Sequence, residues 1–139
     1  MLKFFLLFVS LLFACQPLPK EVPLEKYRNQ FIEGEVVLEK SLKDKVPKAD
    51  TFLIISVRDL ENPMPLAVLR VKNPKLPYKF KITGKHKLSH DRIMEGQVII
   101  TARLSSSDNA EAKKGDLVGF ANAQVGTRGV IIEINSEVE

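Results

Sequence analysis

From Phe31 onward, apolar and polar positions alternate with a period of two, the pattern of strands that bury one face. Ile32, Gly34, Val36 and Leu38 interleave with Glu33, Glu35 and Glu39. Phe52-Leu53-Ile54-Ile55-Ser56-Val57 is instead a continuous apolar run rich in branched residues, which predicts a central strand covered on both faces. Further strands are predicted over Leu66 to Val71, Tyr78 to Ile82, Gln97 to Leu104, Leu117 to Ala121 and Gly129 to Ile134. In Tyr78 to Ile82 the two lysines, Lys79 and Lys81, take the wet face and Tyr78, Phe80 and Ile82 the dry one. Pro47, Asn62-Pro63, Asn73-Pro74, Gly84, Gly96, Gly115 and Gly126 fall between the runs, where turns need them. About seven short strands without a convincing amphipathic helix predict an all-β fold over residues 31–139. The expected architecture is an antiparallel β-sandwich of immunoglobulin or transthyretin type, with a small barrel as the alternative.

The chain ahead of these strands follows other rules. MLKFFLLFVSLLFAC has one early cation, Lys3, then an apolar stretch that ends in Leu12-Phe13-Ala14 before Cys15, the single cysteine. A bilayer span takes roughly 20 apolar residues. This run is shorter and is broken by Gln16 and Pro17, so it reads as a cleaved signal helix over residues 1–14. Leu12-Phe13-Ala14-Cys15 resembles the bacterial lipobox, which makes Cys15 the lipidation site and the membrane the first partner. Two or more acyl chains, at about 0.8 kcal/mol per buried methylene, hold a protein on a bilayer stably. With its sulfur acylated, Cys15 is unavailable for a disulfide, redox chemistry or metal. Residues 15–30 then carry Pro17, Pro19 and Pro23 in a short polar stretch, a semi-rigid tether. The expected location is the cell envelope, facing the periplasm, and Gln16 after the cysteine resembles lipoproteins sorted to an outer membrane.

Charge adds a local asymmetry. The formal net charge is only +4, yet between Arg70 and Arg92 eight cations face one anion, Asp91. On a shared sheet face they would attract anionic headgroups, an acidic partner or a propionate-bearing cofactor. The simpler expectation is a solvated face and a protected edge strand. Nucleic acid is excluded as a partner by export and by the lack of stacking aromatics among the lysines.

Candidate chemistry is sparse. His86, His90 and Met94 combine imidazole and thioether, ligands suited to copper, although Gly84 and Gly96 place them on a loop. Ser105-Ser106-Ser107 lacks an elbow motif and an orienting partner. Asp59 and Glu61 sit at a turn, where carboxylates are expected for solvation. No catalytic or cofactor-binding residue emerges, so the expectation is a non-enzyme without a cofactor.

Met64-Pro65-Leu66-Ala67-Val68-Leu69-Arg70, Leu76-Pro77, Ala102-Arg103-Leu104-Ser105-Ser106-Ser107-Asp108-Asn109-Ala110 and Gly115-Asp116-Leu117-Val118-Gly119, in this order, carry a resemblance. Together they resemble the C-terminal periplasmic domain of the CcmI (CycH) type cytochrome c biogenesis protein, here in the form of a stand-alone lipoprotein. The resemblance implies a non-enzymatic accessory or binding module in cytochrome c maturation or respiratory-complex assembly, with a protein partner. A copper-binding or metal-delivery lipoprotein and a structural envelope lipoprotein are the alternatives. The family's membrane helices and TPR region have no counterpart in this sequence, so apocytochrome binding is not carried over. Asp108 stands where the family commonly has glycine. Met64, Pro65, Leu66, Asn109 and Asp116 are the candidate partner contacts. They read equally as fold-defining: Pro63 and Pro65 hold Met64 extended, Ser107-Asp108-Asn109 forms a turn, and Asp116 accepts backbone N–H groups across the turn it closes.

Overall fold

The computed structural model describes residues 28–139, so the expected leader, Cys15 and most of the tether lie outside the described residues. Eight strands follow one another: β1 (Phe31–Leu38), β2 (Phe52–Asp59), β3 (Pro65–Lys72), β4 (Tyr78–Thr83), β5 (Gln97–Ser105), β6 (Leu117–Gln124), β7 (Thr127–Ile134) and β8 (Ser136–Glu137). Every strand that the alternation predicts is present. The two-residue β8 is the addition, too short and too polar to leave a periodic signal. Two short 3-10 turns, Lys40–Lys45 and Gly84–His86, interrupt the run of strands.

The strands form two sheets, ordered β4-β1-β7 and β3-β2-β5-β6-β8. They face each other as a sandwich and do not close into a barrel. One pairing departs from the antiparallel expectation: β1 is antiparallel to β4 but parallel to β7. The cause is the tight turn after β6, which sends β7 out of the five-stranded sheet and alongside the first strand of the other.

Period two sets which side chains meet in the middle. Ile32 and Val36 of β1, Phe80 and Ile82 of β4, and Ile132 and Ile134 of β7 face Leu53, Ile55 and Val57 of β2 and Val98, Ile100, Ala102 and Leu104 of β5 in one continuous core. Burying each such aliphatic side chain contributes roughly 1.5–3 kcal/mol. As expected, Lys79 and Lys81 are exposed on β4, which is an edge strand. Charged side chains there oppose pairing with another chain. β3, an edge of the five-stranded sheet, is partly covered by the segment after Gly84: Ala67 bridges to Lys87, and the Leu88 N–H donates to the Leu66 carbonyl at 2.9 Å.

Where the β6–β7 hairpin passes from one sheet to the other, the backbones approach closely. Gly119 lies on the core face of β6, and a Cβ at that position would collide with the Glu133 carbonyl of β7. Beside it, the Asn135 N–H donates to the Val118 carbonyl at 3.1 Å and the Glu39 N–H to the Ile134 carbonyl at 3.0 Å, closing the corner. Only glycine fits this crossing. Gly119→Ala is therefore expected to lower the urea midpoint, with an unfolding free energy reduced by at least the roughly 1–3 kcal/mol typical of overpacking. Equal midpoints for the two proteins would refute the close-approach account.

Candidate functional site

β2 is buried on both sides, and the cover on its outer side defines the site. Leu53, Ile55 and Val57 enter the core, while Ile54, on the opposite face, is also only 6% exposed. The strand register places Ile54 between Arg70 of β3 and Arg103 of β5, and Ser56 between Val68 and Thr101. Arg58 lies further along β2 on the same face. The loop residues Pro63, Leu88 and Ala110, with Pro65 at the start of β3, rise around these side chains and leave a cleft of about 280 Å³. Phe120, 72% exposed, lies across from Thr101 on β6 and extends the apolar surface beyond the cleft.

One wall rests on a buried ion pair. Arg103 Nη1 donates to Asp116 Oδ2 at 2.8 Å, with the two side chains 7% and 2% exposed. Arg103 Nη2 donates to the Asn109 carbonyl at 2.5 Å, and the Lys113 N–H donates to Asp116 Oδ2 at 3.0 Å. The segment between β5 and β6 is thus fastened over the sheet by a single guanidinium. The Ser107 N–H donates to Ser105 Oγ at 3.2 Å, while the buried Ser107 hydroxyl has no partner among the described residues. Burial alone pushes the Asp116 carboxyl up. Hydrogen bonds from the Lys113 N–H, the Ser105 hydroxyl and Arg103, together with the charge of Arg103, outweigh it and hold the group below the usual carboxylate range.

The candidate partner contacts separate into a surface and its support. Met64 is 66% exposed, Pro65 lines the cleft and Asn109 is exposed. Leu66 and Asp116, at 3% and 2%, lie beneath the surface and do not present their side chains to solvent. Pro65 and Ala110, the neighbours of Met64 and Asn109 and distant from each other in the chain, meet at one cleft because β3 and β5 flank β2.

The copper candidates are not brought together. Met94 is fully buried in the core, His86 is half-buried with Nδ1 accepting the Thr83 N–H at 3.0 Å, and His90 is exposed. No group of three or more His, Cys, Asp or Glu placed to hold a metal occurs among the described residues. The basic run is likewise divided between both sheets and does not form one face. Arg70 enters the cleft, Lys81 pairs with Glu33 at 3.4 Å on the three-stranded sheet, and Arg92 pairs with Asp59 at 2.8 Å on a loop. The outer face of the three-stranded sheet holds a second, shallower hollow of about 460 Å³. Its Glu33 and Glu35 lie opposite Lys81 and Lys79 and offset their charge.

Of the cleft's three arginines, the sequence singles out only Arg70, as the first cation of the basic run, and does not single out Arg58 or Arg103 as site residues. Arg103 had a signal: it occupies an odd position among Val98, Ile100, Ala102 and Leu104, which puts it on the outer face of a central strand.

The description "Cytochrome c-type biogenesis protein H Ig-like domain" matches residues 32–135. A protein from Aquifex aeolicus (strain VF5), described as an uncharacterized protein, is 47% identical over 142 residues, covering 97% of this chain and 95% of its own. No solved structure matches.

Replacing Asp116 by Asn leaves Arg103 buried without a counter-charge, which is expected to cost roughly 3–5 kcal/mol in chemical denaturation. Because the Asp116 carboxyl is held low in the folded state, its contribution is complete above the unfolded carboxylate value near pH 4 and is lost progressively as the pH falls from there through the lower folded-state value. Melting temperatures between neutral pH and about pH 3 should therefore fall more steeply for the parent than for Asp116→Asn, and parallel curves would contradict the assignment.

Proposed function

This chain belongs to the family of the cytochrome c-type biogenesis protein H Ig-like domain, and from that premise we propose that it is a membrane-tethered, non-catalytic binding module of cytochrome c maturation. The observation that carries this reading is the convergence of Pro63 and Pro65, beside Met64, and Ala110, beside Asn109, on one cleft of the five-stranded sheet. Rigid strands hold the floor, and loops form the rim. That division is common in binding modules, where scaffold and contact residues are separate. Exposed Leu88 at the rim, Met64 next to the lining residues Pro63 and Pro65, and Phe120 beyond the cleft are apolar and suited to a protein surface.

The tether complements this role. Acylated Cys15, followed by the proline-containing stretch, would keep the domain next to an assembly apparatus in the envelope, facing the periplasm. Among the described residues no helix is long and apolar enough to cross a membrane. Attachment in this reading rests on the lipid alone.

Two measurements test the proposal. Affinity capture of the full chain from detergent extracts of cells actively making cytochrome c should recover maturation components, and should do so less well for Phe120→Asp; recovery of none overturns the reading. Membrane fractionation should find the parent in the pellet and Cys15→Ser released from it, whereas a sedimenting Cys15→Ser would remove the lipid tether from the account.

A further inference from the structure

Four polar side chains open into the cleft without an internal partner. Arg58 and Arg70 make no ion pair or side-chain hydrogen bond among the described residues, and the same is true of the hydroxyls of Ser56 and Thr101. Arg103 differs, since Asp116 and the Asn109 carbonyl already engage it. The cleft therefore carries two uncompensated positive charges over a floor that contains Ile54 and Val68. Guanidinium groups on apolar ground select carboxylates, which they hold through paired N–H donors.

The strand geometry sets the spacing. Arg70 sits beside Ile54 on the neighbouring strand, about 4.8 Å away across the sheet, and Arg58 lies four residues beyond Ile54 along β2, roughly 14 Å at the rise of a strand. An extended segment running over β2 covers that distance in four residues of its own. We propose that the cleft binds an extended acidic segment of a protein partner, with carboxylates four residues apart on Arg58 and Arg70 and an apolar side chain between them over Val68 and Leu88. Ser56 and Thr101 lie midway and can donate to a backbone carbonyl of the segment. Charge complementarity selects the occupant, because a neutral or basic segment would leave both guanidinium groups without a counter-charge as it displaced their water.

This inference rests on the binding-module reading, and its test separates the two. The probe is a fluorescein-labelled extended peptide of Thr and Val residues with Asp at two positions four apart and Leu midway. A second peptide carries Asn in place of both Asp residues. Fluorescence anisotropy with the full chain in detergent micelles should give binding of the acidic peptide that weakens with added salt, and roughly tenfold weaker binding of the Asn peptide. Arg58→Gln and Arg70→Gln should each weaken the acidic peptide by a similar factor, with unchanged circular dichroism, since neither side chain holds the fold together. Equal affinity for the two peptides, no binding of the acidic peptide, or full binding by both variants overturns the proposal. So does binding of phosphatidylglycerol vesicles through these arginines when the peptide does not bind. If the peptides behave as expected while capture recovers no maturation component, the groove stands and the pathway assignment falls. If Arg58→Gln and Arg70→Gln proteins capture those components undiminished, the pathway assignment stands and the acidic segment falls.

Discussion

The site depends on one desolvated ion pair. Arg103 and Asp116 are both withdrawn from water, and the desolvation of two charges is offset only when geometry and additional hydrogen bonds are good. Here they are: Asp116 also accepts from Lys113, and Arg103 also reaches the Asn109 carbonyl. The arrangement fixes the β5–β6 segment against the sheet and so determines where Ala110 stands at the cleft rim. An apolar pair at these positions could hold the same volume, but it would not specify the path of a polar loop so tightly. The pair is best understood as a device for position more than for net stability.

A second constraint is the double burial of β2. Most strands in a sandwich show water one face, and their side chains alternate accordingly. β2 buries Ile54 on its outer side as well, because loops from β2–β3, from the stretch after β4 and from β5–β6 fold over it. The five-stranded sheet is thus asymmetric: its inner face completes the core, and its outer face is roofed in part. On the three-stranded sheet, glutamates and lysines face each other across β1 and β4 and leave an open, balanced surface. The proposed binding surface is therefore the roofed face.

The strands were legible because burial on one side imposes a local rule on every second residue. Tyr78 to Ile82 shows this directly, as does the unbroken run Phe52 to Val57, which announced a strand covered twice. What escaped the sequence is long-range. The parallel pairing of β1 with β7 depends on where the chain goes after Gly126. The two-residue β8 is fixed by partners on β6, not by its own composition. The same holds for the site. Met64, Pro65 and Asn109 were legible from family resemblance, but Arg58 carried no signal and Arg70 was one cation of a long basic run, and only the register sets these two on one floor. Met94 shows the converse: it lies in a loop between charged residues and Gly96, yet its side chain is fully buried in the core, away from His86 and His90.

The parallel partnership of β1 and β7 has a mechanical consequence. Ile32 pairs near Thr127 and Leu38 near Ile134, so the chain enters the domain at one end of this ladder and leaves β7 at the other. Tension applied between an immobilised amino-terminal side and a load beyond Ile134 would pull the two strands past each other lengthwise. Their cross-links would then bear the load together, in shear, and would not peel apart one at a time. A domain wired in this way resists stretching well beyond what its thermodynamic stability alone would indicate.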